Sequence, residues 1–386
     1  MTEARGRLAL VSVLAAAVLG IAVTAVAGCG TAGPTSTWQP PLVSGSGSDQ
    51  PPIPAPAGSS AAANPGAQLS MSAVGDVIMG NAPSQLPPDN GHGFFDSVQS
   101  NLTADLQMAN LEQPLTDDTG VGKCGSNAGT TCFQFRSPPS YAKVLKEAGF
   151  ALVNLANNHA YDFGPAGHQN TRKALDDAGV KYTGPPGMIT VVTVKGIRVA
   201  VLGFAPYPWA NDLINIPRAQ DLVRQARTQA DLVVIQVHMG AEGPAYTHVK
   251  PGTEMFYGEN RGDPIAFSHG VIDAGADLVI GHSPHVMRAL EFYKGKLIAY
   301  SLGNFAGYHA LGTGGLGGIT AILHVTLRAD GSYVSGSLVP ARMVAPGVPR
   351  LDPTKQVIPL VSGLSKADFP TTGAHLAADG TVTPPT

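Results

Sequence analysis

The amino-acid sequence predicts a single α/β domain on a mixed β-sheet, set between chain ends too poor in apolar clusters to fold alone. Three observations carry that expectation. Apolar runs of strand length alternate with helix-like segments through about 290 residues, the order a layered α/β domain requires. Most of the helix-like segments open at or near Pro and end in Gly, which is how helices are punctuated. Beyond Gly317 the pattern alternates like a hairpin around Asp330-Gly331, giving the sheet an antiparallel end. Composition agrees with a loop-rich chain: 47 of 386 residues are Gly, 32 are Pro, and 13% are charged, against roughly 25% in an average soluble domain. A formal net charge of −3, from 24 basic and 27 acidic residues with no long block of either sign, argues against nucleic acid as a partner.

The N-terminal stretch "MTEARGRLALVSVLAAAVLGIAVTAVAGCG" places Arg5 and Arg7 before an apolar run from Leu8 that closes on Val26-Ala27-Gly28-Cys29. A basic start, an apolar run and a small-residue cleavage site form a secretory signal over residues 1–28. By length the same run would also span a bilayer as an uncleaved anchor. Its last four residues resemble the lipobox at which bacterial prolipoproteins are acylated and cut. The mature chain is therefore expected to begin at Cys29 and to be held by lipid on the outer face of the cell membrane. Residues 29–67, rich in Gly, Ser, Pro and Ala, read as a semi-extended tether. Residues 365–386 have similar composition and read as a flexible tail, leaving 68–364 as the domain.

Within the domain, buried strands are expected at "LSMSAV" before Gly75, "LQMAN" before Leu111, "ALVNL" from Ala151, "IRVAVLGF" from Ile197, "DLVVIQVH" from Asp231, "DLVIG" from Asp277 and "KLIAYSL" from Lys296. Helices are expected from Pro138, Pro165, Arg218 and Pro264. Cys124 and Cys132 flank "GSNAGTT" and, outside the cytoplasm, would pair as a disulfide. A metal site at that pair has neither short Cys spacing nor a nearby His to support it.

Five polar clusters occupy the same place, just past the C-terminal end of a strand-like run. They are Gly75-Asp76, Asn110-Leu111-Glu112, Asn157-Asn158-His159, His238 to Glu242, and Gly281-His282-Ser283-Pro284-His285. Loops at strand C-termini converge on one crevice in open α/β sheets. Asp, Glu, amide oxygens and imidazoles arriving together make a mixed oxygen and nitrogen site, which suits zinc, iron or manganese rather than calcium. Any one of these residues alone would be an ordinary turn former or solvated loop group; the joint placement is what points to metal. His92, His168, His248, His269, His309, His324 and His375 lack it and default to surface or core.

The strings "SAVGDVIMG", "ANLEQPLT", "NLANNHAYDFGPAG", "IQVHMGAEG" and "DLVIGHSPHVMRALEFYKGKLIAYSLGNF" resemble, in order from Leu69 to Ala306, the motifs of CapA-type poly-γ-glutamate capsule synthesis proteins. These are a branch of the calcineurin-like metallophosphatase superfamily. The resemblance implies a four-layer sandwich of two mixed β-sheets flanked by helices, with two divalent metal ions at one edge. It implies Asp76 and His285 on the first ion, Glu112 bridging, and Asn158, His238 and His282 on the second. His159 matches the histidine that gives a proton to the leaving oxygen. Asn157, Glu242 and Asn304 stand where side chains would orient ligands or touch substrate.

The chain departs from the phosphatase pattern at Ile78, where a histidine ligand is usual, at Glu112, where Asp is usual, and at Ser283, where the CapA branch often has histidine. Two function classes follow. One is a tethered metallohydrolase acting on a phosphoester or an amide-linked polymer. The other is an accessory protein that binds or guides an anionic polymer such as poly-γ-glutamate for capsule-synthesis machinery. Arg261-Gly262-Asp263 reads as a turn.

Overall fold

The computed structural model describes residues 63–125 and 132–385, so the signal and nearly all of the tether lie outside the described residues. The chain first lays down four parallel strands, β1 (Gln68–Ile78), β2 (Leu106–Leu111), β3 (Leu152–Asn154) and β4 (Lys181–Thr183), with helices α1 (Asp96–Leu102), α2 (Tyr141–Ala148) and α3 (Gly164–Ala178) between them. It then starts a second sheet with β5 (Thr190–Val194), β6 (Ile197–Ala205), the short β7 (Asn211–Asp212) and β8 (Leu232–His238), helix α4 (Ile216–Gln229) lying before β8. A two-stranded excursion, β9 (Met255–Phe256) and β10 (Glu259–Asn260), precedes α5 (Pro264–Asp273). Strands β11 (Leu278–His282), β12 (Leu290–Tyr293) and β13 (Lys296–Ala299) complete the second sheet, in the order β12-β13-β11-β8-β6-β5.

The chain returns to the first sheet with β14 (Asn304–Gly307), β15 (Ile319–Arg328), β16 (Tyr333–Val344) and β17 (Val348–Leu351). Helix α6 (Val357–Asp368) and strands β18 (His375–Leu376) and β19 (Thr381–Thr383) follow. The first sheet has ten strands and the second seven, and both mix parallel and antiparallel neighbours. Alternation along the strands builds the layers. Leu69, Met71, Leu106 and Met108 face Val199, Val201, Leu232 and Val234 in the core between the sheets. Val98, Val144, Leu145 and Leu175 pack helices on the outer face of the first sheet; Val223, Phe267 and Val271 do so on the second. Burying such side chains contributes roughly 1.5–3 kcal/mol apiece. The observed fold is the four-layer sandwich implied by the resemblance, with two sheets where periodicity alone suggested one.

Helix punctuation follows the sequence. The side chain of Asn215 caps α4 by accepting from Arg218 N, and that of Asp263 caps α5 by accepting from Ala266 N. Helices α2 and α3 stop at Gly149 and Gly179, both left-handed. The stretch read as a flexible tail is a correction: residues 365–368 finish α6, β18 pairs with β19, and β19 pairs with β16 at Gly336↔Val382. Phe369, Ala374 and Val382 are buried and Tyr333 donates to the Val382 carbonyl at 2.6 Å. A few apolar side chains suffice there because a strand edge is already waiting to be paired, which composition cannot register. Among the described residues no helix is long and apolar enough to cross a membrane.

Candidate metal centre

The polar clusters meet where the C-terminal ends of β1, β2 and β3 face those of β8 and β11. Asp76 lies in β1 beside Asn110 of β2 and Asn304 of β14, and His238 and His282 end neighbouring strands in direct register. Pairing of β1 with β2 shifts between Ala73 and Asp76. Leu69, Met71 and Ala73 therefore face the inter-sheet core, while Val74, Val77 and Met79 pack toward the helices. Such an irregularity re-aims a side chain at a sheet edge, here Asp76.

The segment between β13 and β14 crosses from one sheet to the other through this site. Leu302 N donates to Gly281 O at 3.1 Å and Asp76 N to Gly303 O at 2.9 Å. A Cβ on Gly75 would stand 1.9 Å from Gly303 O, and one on Gly281 2.1 Å from Tyr300 O. Glycine is therefore obligatory immediately before Asp76 and His282, because only a bare backbone lets the crossing strand approach.

Asp76, Glu112 and His285 bring one donor atom each within 4.8 Å of one another. His285 Nδ1 is 3.1 Å from Asp76 Oδ2, and its Nε2 is 3.7 Å from Glu112 Oε1. His282 Nδ1 lies 3.7 Å from Asp76 Oδ1, and His238 Nε2 lies 3.8 Å from Glu112 Oε1. Asp76, Glu112, His238 and His282 have no solvent exposure. Yet both carboxylate oxygens of Glu112, both ring nitrogens of His238, His282 Nδ1 and Asn158 Oδ1 have no hydrogen-bond partner. Buried lone pairs left unpaired cost several kcal/mol in total unless something satisfies them. Divalent metal fits this donor set of carboxylate, amide oxygen and imidazole.

The electrostatics point the same way. Burial and the neighbouring Asp76 charge raise Glu112 well above the carboxylate range. Burial also pushes Asp76 up, but the hydrogen bond and charge of His285, the charge of His282 and the Asn110 hydrogen bond outweigh it and hold Asp76 low. His285 loses to burial and gains more from Glu112, Asp76 and Glu242, so it rises well above 6.5. Burial drives His282 down to about 4 and, with Arg261, drives His238 well below 6.5. Both are neutral imidazoles at neutral pH, the form that binds metal.

Several residues outside the sequence-predicted set hold the donors in place. Gln236, two residues before His238, lies 3.2 Å from His282 Nε2 through its Oε1; accepting there would leave His282 Nδ1 as the free lone pair. Asn110 donates to Asp76 Oδ1 at 2.8 Å and accepts from Asn154 and Asn157, so Asn157 belongs to an amide ladder behind the ligands. Asn304 accepts from His285 Nδ1 at 2.8 Å and donates to the carbonyls of His285 and Gly317. His159 donates from Nδ1 to Asp162 Oδ2 at 2.7 Å, and Asp162 is fully buried. Burial lowers the His159 pKa and Asp162 opposes that shift.

Arg261, read as part of a turn, is instead buried beside the centre. It donates to Glu242 at 2.8 Å, Glu259 at 2.9 Å and Ser283 at 3.3 Å, and sits between the rings of Tyr207 and Phe256. Glu242 Oε2 is 3.9 Å from His285 Nε2. Sequence carried no signal for Arg261, since two of its partners, Glu242 and Ser283, lie on distant loops. Ile78 is fully buried and its side chain carries no donor atom, so that position offers no ligand. Cys124 and Cys132 are joined, with Cα atoms 5.7 Å apart.

A family model described as bacterial capsule synthesis protein PGA_cap matches residues 70–308. The chain is 31% identical over 267 residues to the capsule biosynthesis protein CapA of Bacillus anthracis, covering 62% of this chain and 59% of that protein. It is 30% identical over 261 residues to the PGA biosynthesis protein CapA of Bacillus subtilis (strain 168), covering 61% and 63%. It thus spans about three fifths of the length of these two relatives. A probable polyglutamine synthesis accessory protein of Mycobacterium tuberculosis is 28% identical over 282 residues, covering 64% of this chain and 68% of that one. Among solved structures, a putative 5'-nucleotidase of Staphylococcus aureus in complex with alpha-ketoglutarate superposes with a TM-score of 0.42 at 14% identity, covering 77% of this chain and 58% of that one.

Proposed function

This chain belongs to the bacterial capsule synthesis protein family PGA_cap, and from that premise we propose that it acts in the biogenesis of an anionic cell-surface polymer through a two-metal hydrolytic centre. The observation that carries the reading is the set of buried, unpaired donors at facing strand ends. Asp76, Glu112 and His285 would hold one ion and Asn158, His238 and His282 the other, with Glu112 shared. When bound, such a pair neutralises a phosphoryl or carboxyl group and activates water for attack.

The chain's own residues do the rest. His159 keeps its Nδ1–H on Asp162, which leaves Nε2 as the atom that carries a proton to a leaving oxygen. Arg261, fixed by Glu242 and Glu259, sets a buried positive charge beside the centre where an anionic substrate would lie. Asn304 and Gln236 orient the imidazoles of His285 and His282. In the same proposal the chain is anchored by acylated Cys29 at the outer membrane face, where it meets polymer and the machinery that makes it.

A second reading, a binding or export component without turnover, draws on Ile78, which removes one donor from the first ion. Metal analysis of the domain, with assays on phosphoesters and γ-glutamyl polymer, separates the two. About two equivalents of divalent metal are expected, falling in Asn158→Ala and His238→Ala. His159→Ala should keep the metal and lose about 10²–10⁴-fold in rate. Full metal content in both ligand variants would sink the metal-centre reading; metal without turnover on any substrate would favour the binding component.

A further inference from the structure

Asp162, the carboxylate behind His159, is gripped by both ends of the loop that the Cys124–Cys132 disulfide closes. On one side Lys123, next to Cys124, places Nζ 3.2 Å from Asp162 Oδ1 and donates to Asn158 O at 3.2 Å, while its backbone N donates to Asp162 O at 2.7 Å. On the other side Phe135 N donates to Asp162 Oδ2 at 2.8 Å, and the Phe135 ring packs 4.6 Å from the His159 ring. The two sides are tied again by Cys124 N donating to Gln134 Oε1 at 3.0 Å. Asp162 Oδ1 has no hydrogen-bond partner, so the ion pair with Lys123 is what faces that oxygen. A fully buried carboxylate without a compensating cation is costly and shifts to find one.

We infer that Lys123 and the disulfide that fixes it are positioning elements for His159, holding Asp162 so that the imidazole presents Nε2 to the leaving oxygen. This rests on the hydrolase reading above, and it adds residues that the metal set does not include. Without the disulfide, the Cys124 N to Gln134 Oε1 hydrogen bond is left to tie the side that carries Lys123 to the side that carries Phe135. Without Lys123, the cation facing Oδ1 is gone and the Phe135 N–H is left to hold the carboxylate against His159 Nδ1. Lys123 also donates to the backbone carbonyl of Asn158, so metal content is read beside the rate in every variant.

The test compares Lys123→Met, Lys123→Arg and the double variant Cys124→Ala/Cys132→Ala with the parent, all metal-loaded. The substrates are phenyl phosphate, whose leaving oxygen needs a proton, and 4-nitrophenyl phosphate, whose leaving group does not. Lys123→Met and the double variant should lose about 10–100-fold in kcat on phenyl phosphate, the usual effect of removing an outer partner. They should lose less than about threefold on the nitrophenyl ester, at constant metal content, with Lys123→Arg restoring most of the rate. Equal losses on both esters, no loss, or a parallel loss of metal would overturn the inference. If the parent hydrolyses neither ester, the hydrolase reading stands or falls on γ-glutamyl polymer alone. The positioning is then decided by ¹⁵N-histidine NMR, where the protected Nδ1–H signal of His159 should vanish in Lys123→Met; its persistence would overturn the inference.

Discussion

At the scale of single residues, donors of the centre are held by neighbours behind them: Asn110 behind Asp76, Gln236 behind His282 and Asn304 behind His285. Asp76, Glu112, His238, His282 and His285 were visible in the sequence because each ends an apolar run, and the structure brings these five together. Gln236 and Asp162 were not, and Asn110 was visible only as a member of a polar cluster, since their worth depends on strand register and on which face a residue presents. His168 shows the opposite case, a histidine with no motif that has a measurable consequence. It is buried against Tyr161, and burial with the Arg172 charge pushes it down to about 4. The unfolded chain therefore takes up this proton first, near pH 6.5, so stability from the neutral ring is whole above that pH and is lost as pH falls toward 4. At about 1.4 kcal/mol per pH unit the loss amounts to at most about 3–4 kcal/mol. Urea unfolding between pH 7 and 4.5 should show a shallower decline in His168→Phe than in the parent; identical slopes would show that the ring is charged at no cost.

Secondary-structure elements were legible in proportion to their length. The seven strand-like runs and four helix-like segments of the sequence all correspond to elements, because each repeats its pattern over several residues and carries end signals. The paired C-terminal strands were missed: β18 and β19 are two and three residues long, too short for any periodicity. Their importance is set by the neighbour they cover. Ending the chain after Phe369 would strip the edge of β16 where Gly336 pairs with Val382, and would remove the buried side chains of Ala374 and Val382. Such a truncation should lower the unfolding free energy by about 2–5 kcal/mol through lost apolar burial and unpaired backbone. Its metal content should stay intact, since no donor lies there. A urea midpoint equal to the parent's would mean that the segment is loosely attached after all.

For the whole molecule, local pattern could not decide between one sheet and two, because periodicity says nothing about which strands are neighbours. The family resemblance supplied that, and the cores on either side of each sheet account for it. The proposed anchor belongs to this scale also. Cys29→Ala is expected to release the protein from the membrane fraction or leave an unprocessed precursor, read by fractionation and intact mass; unchanged processing would remove lipid attachment from the proposal. Strand β1 sets the timetable of assembly. Met71 is flanked by Leu106 on one side and by Val325 on the other, and Asp76 by Asn110 and Asn304. A ribosome delivers the first neighbour early and the second only after nearly the entire domain has been made. Contacts so distant along the chain slow folding, and the half-built sheet has to wait with one flank bare. Cations encountered during synthesis therefore find scattered side chains and no pocket. Loading of the proposed centre would fall to whichever compartment first holds the completed polypeptide, whose metal supply would choose the ion.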